Sequence, residues 1–505
     1  MELKKGSINL KETKGRMSAG NLVSGDVVIS DTMPDIEEVV VADAKARISD
    51  TSYKNGKLDV SGVVDFTVLY KPEEGSELKI VCQGFDFLQS FDVKADEETE
   101  FNSEVFVEHI SFAQVNSRKI SAKMMLCITA SGSKGKEYSP ITEICGDDIE
   151  SRNKKYSMYI PMSETITDIT VSDILTLPEE KADIAEILKT DAWAVITETK
   201  VMNGKVMICA NLNLCTVYSA SDEKGTVTGV MHTIPFTEIA EAPGADETSV
   251  VNVYLNVESV TTARKGDLNG DTRIISLDAE ISAKVKVSKT VAETFVDDCY
   301  FLSQKTNLYR ENMEFFEYIT SESGRITERQ AVNFDDGKGL AEIISCTAKP
   351  ILKEVKCSDK KAIITGNLVS FLIYRDEDGC VKSAVTESEI SWEKMIGCES
   401  VIEAEMWLED VSAELAGNEA QILANIGLFM KALKSHSVEI LTDCSPKDES
   451  DTTKYPSLVV YFAKDGDTVW NVAKKYRTKC EKIMSANGLE KETIEQGRRI
   501  LIPKS

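Results

Sequence analysis

The length, composition and charge of the chain limit the classes of protein that it can form. It has 505 residues, which is typical of several domains, and a hydrophobic fraction of 42%, which is sufficient for packed cores. The formal net charge of −26 disfavours a nucleic-acid backbone or an anionic membrane as the main partner. No apolar run has the length that a signal peptide or a membrane span requires, so we expect a cytosolic protein whose 12 cysteines are reduced.

The first predicted elements belong to a unit that recurs three times along the chain. In each copy an apolar residue precedes a tyrosine by 34 positions, and a tight turn lies between them. The apolar residue and the tyrosine are Ile36 and Tyr70, then Ile184 and Tyr218, then Leu340 and Tyr374. The turns are Asn55-Gly56, Asn203-Gly204 and Asp359-Lys360. Asn-Gly between runs that alternate apolar and polar residues predicts a β-hairpin with a type I′ turn.

The second half of each unit also repeats. Glu108, Glu258 and Glu409 stand at matching positions, and each precedes a further predicted strand. Units of about 100 residues that consist of strands and hairpins predict antiparallel sandwich or barrel modules. Each unit ends on a cysteine, which indicates one repeated structural position and not a shared metal site; these cysteines are Cys145, Cys299 and Cys444.

The chain changes character after the third unit. Residues 445–457 are polar and have no periodicity, which predicts a flexible linker. Residues 458–503 then read as strand, turn, helix, helix, strand. Val469, Trp470 and Ala473 recur at helical spacing, and Gly488 is a predicted C-terminal cap of the second helix.

This C-terminal segment resembles a LysM domain. The resemblance rests on the turn 466–468 before Trp470, the Asn-Gly-Leu sequence at 487–489 and the final Ile-Pro strand, whereas Gln496 replaces a proline usual in the family. It implies a βααβ fold with a shallow groove that binds the N-acetyl groups of chitin-like or peptidoglycan glycans. The groove would be formed by Gly466, Asp467, Thr468 and Val469 on one side and by Asn487, Gly488 and Leu489 on the other.

The groove residues admit other roles as well. Asp467 or Thr468 is equally what the N-terminus of a helix requires as a cap, and Trp470 is expected in the core. A glycan-binding domain in a chain without an export signal is unexpected. We therefore favour a groove that binds protein, with Val469 and Leu489 as its apolar anchors.

The three repeats and the C-terminal domain together resemble the spore-coat morphogenetic proteins of endospore-forming clostridia, whose repeats are called SPOCS domains. The resemblance rests on the sequence PDIEEVV at 34–40, the Asn-Gly-Lys turn and the spacing of Gly62, Phe66 and Tyr70. It implies a mainly β chain of three tandem sandwich-like or barrel-like SPOCS repeats followed by the small βααβ LysM domain. The expected boundaries are 1–150, 151–305 and 306–444 for the repeats, 445–457 for the linker and 458–505 for the LysM domain.

The resemblance implies a non-enzymatic scaffold in the cytoplasm of the mother cell. Such a protein tethers coat layers to the forespore surface by binding the ATPase of the coat's basal layer. The alternative is a wall-associated protein that binds N-acetylglucosamine glycans of peptidoglycan.

The sequence offers little support for an enzyme. The three histidines are far apart along the chain, and no GxSxG, P-loop or HExxH motif is present. The segment 267–278 has the spacing of a calcium loop, but Thr272 stands where the turn requires glycine. We therefore expect no catalytic residue, no metal and no cofactor.

Overall fold

The computed structural model describes residues 2–74, 77–222, 225–266, 272–334, 339–417, 419–447 and 458–503. These residues form antiparallel β-sheets in three modules and a small C-terminal domain with two short helices. The predicted mainly β fold class is confirmed. Within the described ranges, no helix is long and apolar enough to cross a membrane.

The strands follow the same order in each module. Module 1 contains β1 (Glu2–Lys5), β2 (Ile8–Val28), β3 (Ile36–Lys54), β4 (Lys57–Pro72), β5 (Lys79–Asp92), β6 (Glu100–Asn116), β7 (Lys119–Tyr138) and β8 (Ile141–Cys145). Module 2 contains β9 (Ile149–Thr176), β10 (Ile184–Met202), β11 (Lys205–Ala220), β12 (Val227–Glu241), β13 (Val250–Lys265) and β14 (Ile274–Phe301). Module 3 contains β15 (Thr306–Asn333), β16 (Leu340–Ser358), β17 (Lys361–Asp376), β18 (Val381–Met395), β19 (Val401–Ala416) and β20 (Glu419–Pro446).

Each module is a sandwich of two sheets. Three consecutive strands form a hairpin sheet, such as β3-β4-β5, and three others form a long-strand sheet, such as β2-β7-β6. Alternating residues of the central strands point into the core between the sheets, as Val64, Phe66 and Val68 of β4 do. The alternation of apolar and polar residues in the sequence therefore matches the alternation of buried and exposed side chains along the strand. The long-strand sheets of modules 2 and 3 join through β9 and β15 into one sheet of six strands.

The residues that recur in the sequence have recurring structural roles. The buried hydroxyls of Tyr70 and Tyr218 donate to the carbonyls of Pro34 and Ala182, at 3.0 Å in both cases. The equivalent carbonyl for Tyr374 belongs to position 338, which lies outside the described residues. Each of these two tyrosines thus links the end of the central strand of its hairpin sheet to the residues just before the first strand.

The repeated glutamates mark β-bulges. The register of β6 with β7 shifts between Val107 and His109. The register of β13 with β14 and that of β19 with β20 shift at the equivalent positions. The skipped residues are Glu108, Glu258 and Glu409. A bulge leaves one residue outside the ladder and bends its strand, which accounts for a polar residue at this position in all three modules.

The three modules close into a ring. The last strand of each hairpin sheet packs on the first strand of the next: β5 on β10, β12 on β16, and β18 on β3. The same position of each repeat meets in one buried apolar cluster, to which Val40, Leu188 and Ile344 contribute. Equivalent residues around a common centre define a pseudo-threefold axis. Polar contacts reinforce each junction, among them Lys79 with Glu186 at 3.0 Å.

Polar groups at one repeated position of the three modules also lie near one another. Glu104, Tyr254 and Glu405 occupy equivalent positions on β6, β13 and β19. Glu405 interacts with Glu104 of module 1 and with Lys284 and Lys286 of module 2. Burial, together with repulsion from nearby carboxylates, raises the pKa of Glu405 to about 7.

We predict that Glu405 makes the stability of the ring fall as pH rises towards neutrality. The unfolded chain releases this proton near the ordinary glutamate value and the folded chain only near pH 7, so folding loses stability across that interval. Urea unfolding between pH 5 and pH 8 should show this decline in the wild type and a shallower one in Glu405→Gln. Glu414→Gln, an exposed residue of the same strand, should leave the decline unchanged. Equal pH profiles for the wild type and Glu405→Gln would contradict the assignment.

The three hairpin turns differ although their positions match. Asn55 and Gly56 both have positive φ, at 52° and 80°, as the type I′ prediction requires. In module 2 only Gly204 has positive φ, so the type I′ prediction is wrong there. In module 3 Asp359 and Lys360 adopt φ of 52° and 63° without a glycine. A lysine in this region is strained because its Cβ approaches the backbone.

We predict that Lys360→Gly stabilises the chain by about 1 kcal/mol, because glycine removes that strain. Chemical denaturation measures the change. The neighbouring Lys361→Gly, at the first residue of β17, serves as the control and should destabilise because glycine weakens a strand. Equal losses from the two substitutions would show that Lys360 is not strained.

The structure also bears on the expected boundaries and cysteines. Strand β9 begins at Ile149 and β15 at Thr306, and the expected domain boundaries remain predictions. Most of the expected linker, residues 448–457, and positions 267–271 of the calcium-like segment lie outside the described residues. All 12 cysteines are free thiols, with Cys299 and Cys444 buried.

Candidate functional site

The C-terminal domain is a two-stranded sheet covered on one face by two helices. Its elements are β21 (Leu458–Phe462), α1 (Val469–Tyr476), α2 (Cys480–Asn487) and β22 (Arg499–Pro503). Trp470, Val472, Ile483 and Ile500 are among the residues of its apolar core. The helical spacing in the sequence therefore did identify the buried face.

The first loop of the predicted groove is shaped by its own side chains. The Asp467 carboxylate accepts hydrogen bonds from the Lys464 amide at 2.7 Å and the Tyr461 hydroxyl at 2.8 Å, and the amide bond lowers the pKa of Asp467. The hydroxyl of Thr468 accepts from the Asn471 amide at 3.2 Å and caps α1. Thr468 thus takes the capping role, and Asp467 closes the turn before it.

The second loop is fastened to the last strand. The Asn487 side chain donates to the carbonyl of Leu501 and accepts from its amide, both at 2.7 Å. Gly488 ends α2 with φ of 60°. The two loops meet where Thr468 forms a bridge with Thr493 and the Val469 amide donates to the Glu492 carbonyl at 2.8 Å.

The structure places the seven predicted groove residues where two adjoining loops meet the start of α1 and the end of α2. Val469 and Leu489 are only 0% and 9% exposed, so the expectation that their side chains are apolar anchors for a partner is wrong. Both lie in the apolar core because the hydrophobic face of α1 and the loop after α2 close over the sheet. At the surface the loops present exposed glycines, Gly466 and Gly488.

Sequence reasoning missed an exposed apolar strip on the other face of the sheet. Leu458, Val460 and Phe462 alternate along β21 and are 55%, 51% and 65% exposed. Val460 pairs with Leu501 of β22, which extends the strip, and Phe462 pairs with Arg499. Five consecutive apolar residues in β21 concealed the alternation that would have revealed two faces.

Sequence reasoning also missed the contact that holds this domain on module 2. The carboxylate of Asp298, in β14, is 8% exposed and accepts hydrogen bonds from Trp470 Nε1 at 2.8 Å and from Lys474 Nζ at 2.6 and 2.8 Å. The Cys299 amide donates to the same carboxylate at 3.0 Å. No sequence signal links Asp298 to a helix 172 residues away.

Aromatic packing surrounds this ion pair. The Tyr300 ring meets Trp470 edge to face at 5.1 Å between centroids, and its hydroxyl donates to the Thr478 carbonyl at 2.8 Å. The guanidinium of Arg152 lies 5.3 Å from the centre of the Trp470 ring. Burial raises the pKa of Tyr300, so this hydroxyl stays protonated and remains a donor.

Metal and catalytic groups are not apparent at this site. Within the described residues, no group of three or more His, Cys, Asp or Glu side chains is arranged to hold a metal ion. His109, His232 and His436 lie on β6, β12 and β20 of three different modules. His436 contacts the Glu317 carboxylate at 2.8 Å and stacks on Phe315, which is a structural arrangement.

Tandem β-sandwich repeats with a C-terminal βααβ head define a class of modular binding proteins. The SPOCS-domain family model of SipL matches residues 35–115, 183–264 and 340–416, and the LysM domain model matches 462–503. The chain therefore carries three SPOCS domains like that of SipL and a C-terminal LysM domain. Each SPOCS match spans the hairpin sheet and one further strand, so long strands outside the match complete each sandwich. No curated protein and no solved structure matches the chain significantly.

We predict that Asp298→Ala releases the LysM domain from module 2. The substitution removes the acceptor of the buried Trp470 N–H and of the partly exposed Lys474 ammonium, at a cost of about 1–3 kcal/mol. Hydrogen exchange of the Trp470 indole N–H in the intact chain should accelerate accordingly. The exposed Asp465→Ala is the matched control and should leave the exchange unchanged. Unaltered protection of Trp470 in Asp298→Ala would show that other contacts hold the domain.

Proposed function

We propose that the chain is a non-enzymatic scaffold of the spore coat that tethers coat layers to the forespore surface. In this proposal it works in the mother-cell cytoplasm, and the LysM domain docks onto the ATPase of the coat's basal layer. Two binding-type domain families support it, because SPOCS and LysM domains together define a sporulation-related protein with a recognition module. The partner and the location rest on the resemblance.

The observation that carries the proposal is the exposed apolar strip of β21. Three large apolar side chains that are more than half exposed lie side by side on one strand face, and a contiguous exposed apolar patch marks a candidate interaction surface. The strip faces away from the helices, because Val459 and Tyr461, between its members, pack against the core. A protein surface that covers Leu458, Val460 and Phe462 would remove this area from water.

Charge supports a protein partner with acidic character. Residues 458–503 contain nine Lys or Arg and six Asp or Glu residues, whereas the whole chain carries a net charge of −26. The LysM domain is thus basic, whereas the chain as a whole is acidic. Arg499 lies beside Phe462 at the end of the strip. Complementary charge steers association and selects among partners.

The ring and the ion pair at Asp298 give the head a defined orientation. The Trp470 and Lys474 side chains face module 2, while the strip is on the strand side of the sheet and remains exposed. A scaffold that holds one coat layer in a defined position relative to the next requires such a fixed geometry. Preorganisation also reduces the entropy lost on binding.

Peptidoglycan binding is the second candidate function. It is favoured by the two loops of the LysM groove, whose Gly466 and Gly488 are exposed and allow a sugar to approach the backbone closely. The two functions use opposite parts of the domain, so substitutions separate them.

We predict that Val460→Asp and Phe462→Asp leave the chain folded but reduce pull-down of the basal-layer protein at least tenfold, because each places a carboxylate in the apolar interface. Thr493→Asp, in the exposed loop of the groove, is the matched control and should bind the protein normally. Purified peptidoglycan should retain little wild-type chain. Strong retention on peptidoglycan that Thr493→Asp abolishes, with protein pull-down intact in Phe462→Asp, would instead support the wall-associated function.

A further inference from the structure

Module 1 has a groove at its surface. It has a volume of about 520 Å³ and lies between the tip of the β3–β4 hairpin and the loop that leads into β6. Its lining includes Tyr53, Lys54, Asn55, Glu97, Thr99 and Phe101. A volume of this order is in the range of small-molecule sites.

An aromatic pair forms the apolar part of the groove. The rings of Tyr53 and Phe101 lie 5.1 Å apart, and both are half-buried. The Tyr53 hydroxyl donates to the Ala95 carbonyl at 2.6 Å and accepts from the Ala95 amide, which fixes the ring. Gly132 makes room for Phe101, because a Cβ there would lie 2.9 Å from its ring.

The other modules do not repeat this pair. At the position two residues before the hairpin turn, Tyr53 is replaced by Val201 in module 2 and by Cys357 in module 3. At the second residue of the matching strand, Phe101 is replaced by Val251 and Ile402. The aromatic pair is therefore not required for the sandwich, which forms without it twice.

A buried hydroxyl at the groove has no partner. Thr99 is 8% exposed, and no hydrogen bond is made by its Oγ1 among the described residues. The equivalent Ser249 exchanges hydrogen bonds with Asp246, and the equivalent Ser400 reaches the Cys398 carbonyl. An unmade hydrogen bond in a buried site costs free energy, which a ligand group can recover. Rotation about χ1 of Thr99 exchanges the positions of its methyl and hydroxyl groups.

The rim supplies further hydrogen-bonding groups. Lys54, Asn55 and Glu97 are exposed around the groove and together offer ammonium, amide and carboxylate functions. An aromatic base with a polar rim is amphipathic in the same sense as a pyranose, which has a face of C–H groups and an edge of hydroxyls. We propose that this groove binds a pyranose unit of a glycan, independently of the LysM domain.

Saturation-transfer NMR on the intact chain tests the proposal, with cellobiose and N,N′-diacetylchitobiose as the probes. The wild type should transfer saturation to the ring C–H protons of at least one probe. Thr99→Val keeps the side-chain shape, removes the unpaired hydroxyl and should weaken binding at least tenfold without lowering Tm. Phe101→Leu should also weaken it, by removal of the aromatic face.

Two controls localise the effect. Ser249→Ala alters the equivalent residue of module 2, and Thr493→Asp alters the LysM groove loop, so both should bind the probe as the wild type does. Absence of transfer to both probes in the wild type would overturn the proposal. So would equal transfer in Thr99→Val, or a loss of transfer in Thr493→Asp alone, which would assign the sugar to the LysM domain.

Discussion

The burial of the Asp298 carboxylate is the interaction on which the placement of the LysM domain depends. A carboxylate removed from water is costly unless donors replace the lost hydration. Here Trp470, Lys474 and the Cys299 amide supply them, and two of these three belong to the LysM domain. Separation of the domain would therefore expose an apolar surface and break a charge-assisted network in one step. The LysM domain is therefore docked on module 2, although its fold is that of an independent domain.

The β-ring provides the base for this contact. Equivalent residues of the three repeats meet around one axis, so each module depends on its two neighbours for part of its apolar burial. Symmetry of this kind does not require identical functions. Among the described residues, the strand that receives the LysM domain belongs to module 2 and the Tyr53–Phe101 pair belongs to module 1, whereas Asp359 and Lys360 make the module 3 turn without glycine. The common fold has thus allowed different surfaces to develop on each copy.

Much of the fold was predictable because its determinants are local. The constant interval to Tyr70, Tyr218 and Tyr374 reflects one hairpin sheet built three times, and the hairpin turns and the LysM helices follow from patterns within a few tens of residues. The contacts that orient the LysM domain on module 2 were not predictable. Asp298 and Trp470 are 172 positions apart, and an acidic residue in a strand of an acidic chain carries no signal of its burial.

The candidate site shows the same division. The sequence predicted two loops that the structure places side by side, but Val469 and Leu489 are core residues, because the sequence does not show which way a hydrophobic residue at the end of a loop points. The exposed strip of β21 depends on which face of the strand the helices cover, and this is a tertiary property. The unpaired hydroxyl of Thr99 is visible only by comparison with Ser249 and Ser400 in three dimensions.

The rotational motion of the LysM domain in solution tests most directly whether this domain is held rigidly on the β-modules. ¹⁵N relaxation of backbone amides in α1 and α2 of the intact chain measures the rotational correlation time of the LysM domain. Docking through Asp298 predicts the same correlation time as for the β-modules, that of a particle of 55.7 kDa. A much shorter correlation time, typical of a domain of about 50 residues that tumbles on a tether, would contradict the account.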